Sequence, residues 1–260
     1  MTRTEILAKV SQSPEERLLL SRVWDKLDSA RRGVPAHTPF LSTAQQEAAG
    51  RLIAAAGHPR HLFSGGWPDA ERKICAFLPD WQEEELWESP LTALHCTWQS
   101  RESLSHRDFL GAVLGAGLDR EKVGDILVGK GACDLIVFEE IAPYLLQNLT
   151  GAGRAKLRVS RIPLAEIQPP PVQVKTVHDT VSSLRLDAVM ATGFAMGRGR
   201  AAELIAGGRV ELNHRPCLKS DRTVGEGDVL TCRGLGKCVV KEVGGLSKKG
   251  RTILTMERYL

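Results

Sequence analysis

The sequence predicts an α+β chain: a helical N-terminal region with a β-hairpin, a ferredoxin-like βαββαβ unit, and a small basic module of two helices and a sheet. Three observations predict it. Apolar residues alternate along the chain between helical spacing and short runs bounded by turn residues. Between residues 91 and 162 those runs follow the order strand, helix, strand, strand, helix, strand. Finally, the stretch IQPPPVQVKTVHDT, residues 167–180, contains three consecutive prolines, which suit neither a helix interior nor a central strand. The expected organisation is a helical and hairpin region over 1–89, the ferredoxin-like unit over 90–166, a Pro-rich linker over 167–181, the basic module over 182–245 and a basic extension over 246–260.

The elements follow from local chemistry. Ser13-Pro14-Glu15-Glu16 supplies an N-cap, a proline at the first helical position and acids in the first turn. Thr38 to Ser42 leads into the helical run TAQQEAAGRLIAAAG, which Gly57 is placed to stop. HLF and KICAFL read as hairpin strands around Gly65-Gly66. LTALHCTW is a strand, and Ser105 with Asp108 three residues on opens a helix in the manner of a capping box. DILV and CDLIVF form a hairpin across Gly129-Lys130-Gly131, followed by the helix EEIAPYLLQNL and the strand AKLRVSRI.

In the basic module, Leu186, Val189 and Met190 share one helix face, and Gly193 is expected to break that helix. The second helix, RGRAAELIAG, buries Ala201, Leu204 and Ile205; strands at 209–213, VLTCRG and KCVVKEV complete a small sheet. The charge is uneven. From Val172 onward there are 15 Lys+Arg against 9 Asp+Glu, a net of +6, whereas the preceding 171 residues carry 20 against 22. Such asymmetry points to a polyanionic partner for the basic part. Arg198 and Arg200 fall in the first turn of the second helix, where unpaired N–H groups and the positive dipole end favour an anion. Two arginines there form a phosphate-binding corner, which Arg185, Lys219, Arg233, Lys237 and Lys241 are placed to extend.

Composition excludes several classes. No stretch approaches the ~18–20 apolar residues of a membrane span, and MTRTEILAKV lacks the layout of a secretory signal. The expected location is the cytoplasm, or the plastid stroma for an organellar relative. The six cysteines form no C-x-x-C pair and read as small buried side chains rather than zinc ligands. No metal, cofactor or small-molecule substrate is expected.

Arg185-Leu186-Asp187, Gly193, Arg198, Ala202, Leu204-Ile205, Gly208, Val210, Asn213, Gly227-Asp228 and Arg233-Gly234 together resemble an S4 domain over about sixty residues. Gly197 stands where that family usually has a helix-capping Ser, and His214 replaces its turn Gly. Upstream, Gly65-Gly66 with Ala70-Glu71-Arg72-Lys73, then His106-Arg107-Asp108-Phe109-Leu110-Gly111, then Arg120-Glu121-Lys122 with Gly124-Asp125-Ile126 resemble the YlmH-like proteins of bacteria, cyanobacteria and plastids. That resemblance implies a preceding domain, a ferredoxin-like RNA-binding domain and a C-terminal S4 domain. It also implies binding to rRNA of the large ribosomal subunit, near peptidyl-tRNA, in the rescue of stalled translation. His106 and Arg107 are then further candidate RNA contacts.

Two other classes compete. S4 domains also occur in RNA-modifying enzymes, and a pseudouridine synthase carries its catalytic Asp in an R-L-D string. Here the R-L-D lies inside the module's first helix, where Asp187 reads as structural; nucleotide-binding and methyl-donor loops are missing. His106-Arg107-Asp108 spells part of a kinase loop, without the Asn that should follow or a Gly-rich phosphate loop, so the capping reading of Asp108 is preferred. The second competitor is a protein–protein adaptor with a basic tail.

Overall fold

A computed structural model of the chain describes residues 2–99, 103–171 and 173–259. Val172, from which the basic excess is counted, and Leu260, the last residue of the expected extension, lie outside them. The chain divides into two compact units, residues 1–170 and 171–260.

The first unit opens with helices α1 (Arg3–Val10) and α2 (Pro14–Arg31). The Ser13 hydroxyl accepts from the Glu16 N–H at 3.1 Å, and Pro14 occupies the first turn. After the short strand β1 (Ala36–His37), helix α3 (Thr43–Ala55) starts on a Ser42/Gln45 capping box. Gly57, at φ +88°, follows its end. Strands β2 (His61–Ser64) and β3 (Ile74–Phe77) pair antiparallel as the expected hairpin, and β1 adds a third strand beside β3. Leu20, Val23, Leu27, Leu52 and Phe77 form the core between helices and strands.

The ferredoxin-like part follows: β4 (Leu91–Thr97), α4 (His106–Gly115), β5 (Val123–Val128), β6 (Ala132–Phe138), α5 (Ala142–Asn148), a minor hairpin β7 (Gly151–Ala152) and β8 (Ala155–Lys156), then β9 (Arg158–Ile162). Its four-stranded sheet runs β5-β6-β4-β9, antiparallel throughout. Strand β6 shows how the sheet is used. Leu135 and Val137 pack with Phe109, Val113 and Leu145 under α4 and α5. Ile136 and Phe138, pointing the other way, pack with Phe40 and Ile74 of the N-terminal region. Both faces are covered, which is why CDLIVF reads as a continuous apolar run.

The upstream sequence fingerprint is the latch that covers the second face. Asp125, buried on β5, accepts from the Trp67 indole N–H (3.0 Å) and the backbone N–H groups of Glu71 (2.8 Å) and Arg72 (3.0 Å). The Arg72 guanidinium donates to the carbonyls of Val123, Phe40 and Arg120. Arg120 caps the carbonyls of Val123 and Gly124; burial, and then the charge of Arg72, push its pKa down to about 10. A Cβ on Gly124 would sit 2.7 Å from the Phe40 ring, and one on Gly65 would sit 2.6 Å from the Arg72 carbonyl. Residues 1–89 and 90–166 thus lie in one compact unit, joined by this latch.

The second unit departs from expectation at both ends. Residues 174–181, expected in the linker, form strand β10 (Val174–Val181). The expected extension contains β15 (Thr252–Tyr259), paired with β10 along eight consecutive positions. The reason is the alternation within TILTMERY, which buries Leu254 and Met256 and leaves their neighbours exposed or half-buried. Between these strands lie α6 (Leu186–Gly193), α7 (Arg198–Ala206), β11 (Val210–Leu212), β12 (Arg215–Pro216), β13 (Val229–Cys232) and β14 (Gly236–Leu246). They form a sheet of order β10-β15-β14-β13-β11-β12 with both helices packed on it through Val189, Met190, Leu204 and Ile205. Gly193 marks the end of α6, as expected. It is the helix's last residue, and a Cβ there would approach Cys238 Sγ at 2.8 Å, so it permits close helix–sheet packing. The turn after β11 keeps φ +51° at Asn213 and +61° at His214, a type I′ geometry held by Asn213 bonds to Asp228 and to the Val229 N–H, both 2.8 Å.

Asp125→Asn keeps the volume but sets an amide NH2 against N–H donors. It should destabilise the first unit by about 2–4 kcal/mol in urea unfolding, because charged acceptors left unreplaced are costly. A change below about 0.5 kcal/mol would contradict the latch.

Candidate nucleic-acid interface

The corner of the second unit is built around one carboxylate. Arg185, in extended conformation, is the residue before α6, and Asp187 lies in the helix's first turn, where the dipole favours a negative charge. The backbone N–H groups of Leu186 and Asp187 already donate to the carbonyls of Arg222 (2.8 Å) and Ser220 (3.0 Å), so this helix start is occupied by the loop that carries Lys219. The Asp187 side chain is only 9% exposed. It accepts from Arg185 Nε (3.2 Å) and Nη2 (3.1 Å), and from Arg198 Nη2 at 3.0 and 3.2 Å. Burial opposes the charged carboxylate, but the hydrogen bonds from both arginines outweigh it and hold the carboxyl below its usual range. The triad is net positive, and Arg185 and Arg198 remain 43% and 52% exposed. Each can turn its remaining N–H donors outward.

Arg198 begins α7, whose N-cap is Gly197 without a side-chain hydrogen bond. The first-turn N–H groups thus have no capping side chain, beside two arginines. The cost of placing cations at this helix start is met within the chain, since Arg198 pairs with Asp187 and Arg200 with the exposed Glu203 at 3.0 Å.

The seven basic residues singled out in this unit do not share one surface. Arg185 and Arg198 meet at Asp187, and Lys219 belongs to the loop whose Ser220 and Arg222 carbonyls accept the first N–H groups of α6. Arg200 lies on the Cys232 side of α7, close to Arg209, which donates to the Arg233 carbonyl at 2.8 Å. Arg209 was absent from the sequence candidates, although it directly follows the helix-ending Gly207-Gly208. Lys237 and Lys241 are elsewhere. Cys238 and Val240 on β14 face the core, so the alternating lysines emerge on the side away from the helices. There Lys237 lies over the Tyr259 ring at 4.6 Å and Lys241 pairs with Glu257 at 3.2 Å.

In the first unit, His106 and Arg107 are exposed at the start of α4. Loss of surrounding water, and then the charge of Arg120, hold the His106 imidazole below its ordinary pKa. The neutral imidazole is the favoured form there. Asp108 accepts from the Ser105 N–H (2.8 Å) and hydroxyl (2.7 Å), which accounts for the kinase-like string as a helix start. The cysteines at 75, 96, 133, 232 and 238 are buried, and burial pushes the Cys75 and Cys96 thiols up to about 12. Among the described residues no group of three or more His, Cys, Asp or Glu could hold a metal, and no helix is long and apolar enough to cross a membrane.

Two family models match the chain: "Putative RNA-binding domain in YlmH" over residues 92–166, and "S4 domain" over residues 184–230. The chain is 37% identical over 197 residues to the ribosome-associated protein quality control protein P2 of Bacillus subtilis, covering 75% of this chain and 77% of that protein. In fold it resembles the cell division protein ylmH from Streptococcus pneumoniae. The TM-score is 0.53 at 19% identity, over 60% of this chain and 96% of the other.

Asp187→Asn removes the charge that both arginines share and should destabilise the second unit by about 1–3 kcal/mol at pH 7, since the arginines left behind are half-solvated. The carboxyl's folded pKa lies below its unfolded value of about 3.9. Its contribution is therefore complete above pH ~4 and disappears as pH falls through the folded value. Thermal melts of wild type and variant should accordingly converge in acid; a gap independent of pH would contradict an ionised Asp187.

Proposed function

The chain belongs to the YlmH family of RNA-binding proteins with a C-terminal S4 domain, and from that premise we propose that it grips structured rRNA on the large ribosomal subunit, beside peptidyl-tRNA, in the rescue of stalled ribosomes. The observation that carries this reading is the Asp187 fork, which presents Arg185 and Arg198 next to the uncapped start of α7. A phosphodiester backbone meets there a rigid pair of planar donors and a set of helix N–H groups. Lys219, Arg200 and Arg233 extend the contact on either side, whereas Lys237 and Lys241 do not. Exposed His106 and Arg107 offer the first unit a separate contact at the outer end of α4.

The action is binding without chemistry of its own. Asp187, the residue an R-L-D enzyme would use as a nucleophile, is buried and held by two guanidiniums, which supports a positioning role. Quality control in the Bacillus relative is the basis for placing the chain in ribosome rescue.

Affinity for a structured rRNA fragment should fall linearly in log K against log salt. Arg198→Ala/Arg200→Ala should weaken binding roughly tenfold and reduce that slope by about 1–2, as phosphate contacts release fewer counterions. Unchanged affinity and slope in a folded double variant would remove the corner from the interface.

A further inference from the structure

Beside the Asp187 corner, the second unit holds a groove of about 830 Å³ between β10, the end of β15 and the turn joining α6 to α7. Its far wall is made by residues outside the 184–230 match, from the strands that replace the expected linker and extension. Four cations line it: Lys175, Arg198, Arg251 and Arg258. One acid, Asp179, faces them, and its carboxylate accepts from the Thr180 N–H at 2.7 Å.

Two of the cations are placed against their own electrostatics. Lys175 and Arg258 are direct cross-strand partners on β10 and β15, so their side chains leave the same face side by side. Like charges opposite one another destabilise a pair of strands, and neither residue has an acidic partner among the described residues. Arg258 is also under-used as a donor. Its guanidinium lies 5.5 Å over the Phe194 ring, one long bond of 3.4 Å reaches the Phe194 carbonyl, and Nε is buried without a partner. The groove's other lip is strained: Ala195 holds φ +54°, a conformation costly for a residue with a Cβ. An anion bound between Lys175 and Arg258 would offset the repulsion and use the idle donors.

The shape selects the class of anion. A volume near 830 Å³ is that of a site for one small ligand-sized group. The lining, where Met196 of the turn joins the small residues Ala188, Ala191 and Gly193 of α6, suits a flat base, and guanidinium planes accept stacking. We propose that this groove captures an unpaired nucleotide, extruded from or trailing the structured RNA that the Asp187 corner holds, with its phosphate between Lys175 and Arg258. The inference rests on the RNA-binding function proposed above. It adds a single-strand site beyond the S4 match, so the two surfaces together read a junction between paired and unpaired RNA.

The test uses the full chain and two probes, a blunt RNA hairpin and the same hairpin with a three-nucleotide unpaired 3′ tail carrying 4-thiouridine. The tailed probe should bind about tenfold tighter, and its cross-link should map to 174–179 or 195–198. Lys175→Glu should bring the tailed probe to within twofold of the blunt one and leave the blunt affinity unchanged. Because it replaces a repelled lysine, the variant should melt no lower than wild type, which separates lost contact from lost fold. Equal wild-type affinities for the two probes would overturn the groove while leaving the corner intact. Equal weakening of both probes by Lys175→Glu would also overturn it, reducing Lys175 to general charge. Protection of β10 from hydrogen exchange by a ribosomal protein but not by the tail would assign the groove to a protein strand and likewise overturn it. Failure of both probes to bind would instead strike the RNA-binding function itself.

Discussion

A single buried carboxylate organises the candidate interface of this chain. Asp187 sits in the first turn of one helix and takes up guanidiniums from the residue before that helix and from the start of the next. Two long, flexible cations are thereby fixed in direction without being neutralised, because one negative charge serves two positive ones. Ordering arginine side chains before a ligand arrives reduces the entropy lost on binding. The same bonds tie α6 to α7 and so set the angle at which the uncapped helix start faces outward.

The first unit solves a different problem. A ferredoxin-like sheet leaves one face open, and many RNA-binding domains of this topology use that face. Here Phe40, Ile74 and the Asp125 latch cover much of it. That face is therefore not free for RNA, and the proposed contact of this unit lies at the exposed start of α4 instead. The basic character belongs to the second unit, and the near-neutral first unit is suited to positioning it. Linking two modest contacts raises joint affinity through effective concentration, with no need for a large interface on either.

Much of this was legible in the sequence, and the failures have specific causes. Helix starts at Ser13, Ser42 and Ser105 announce themselves because capping is local chemistry. The βαββαβ order and the two helices of the basic module follow from apolar spacing. The triple proline drew the linker too far: Val174–Val181 is a strand because β15, more than seventy residues away, pairs with it, and long-range pairing leaves no local mark. Alternating Leu254 and Met256 did carry a strand signal that a basic extension obscured. The role of Asp187 was readable as structural, but its two partners were not, since Arg198 is eleven residues distant. The grouping of the basic residues was the least legible part. Lys237 and Lys241 differ from Arg185 and Arg198 only in which face of the fold they leave, and charge counting is blind to that.

The fork at Asp187, the neighbouring cationic groove and the family membership support one proposal: residues 171–260 carry the hold on the ribosome. Co-sedimentation with large ribosomal subunits, comparing the intact chain with residues 1–170, tests it most directly. The intact chain should travel with the subunits at low salt and be released as salt rises, while residues 1–170, still folded by circular dichroism, should stay in the supernatant. Equal co-sedimentation of the two would contradict the account and transfer the ribosome contact to the first unit.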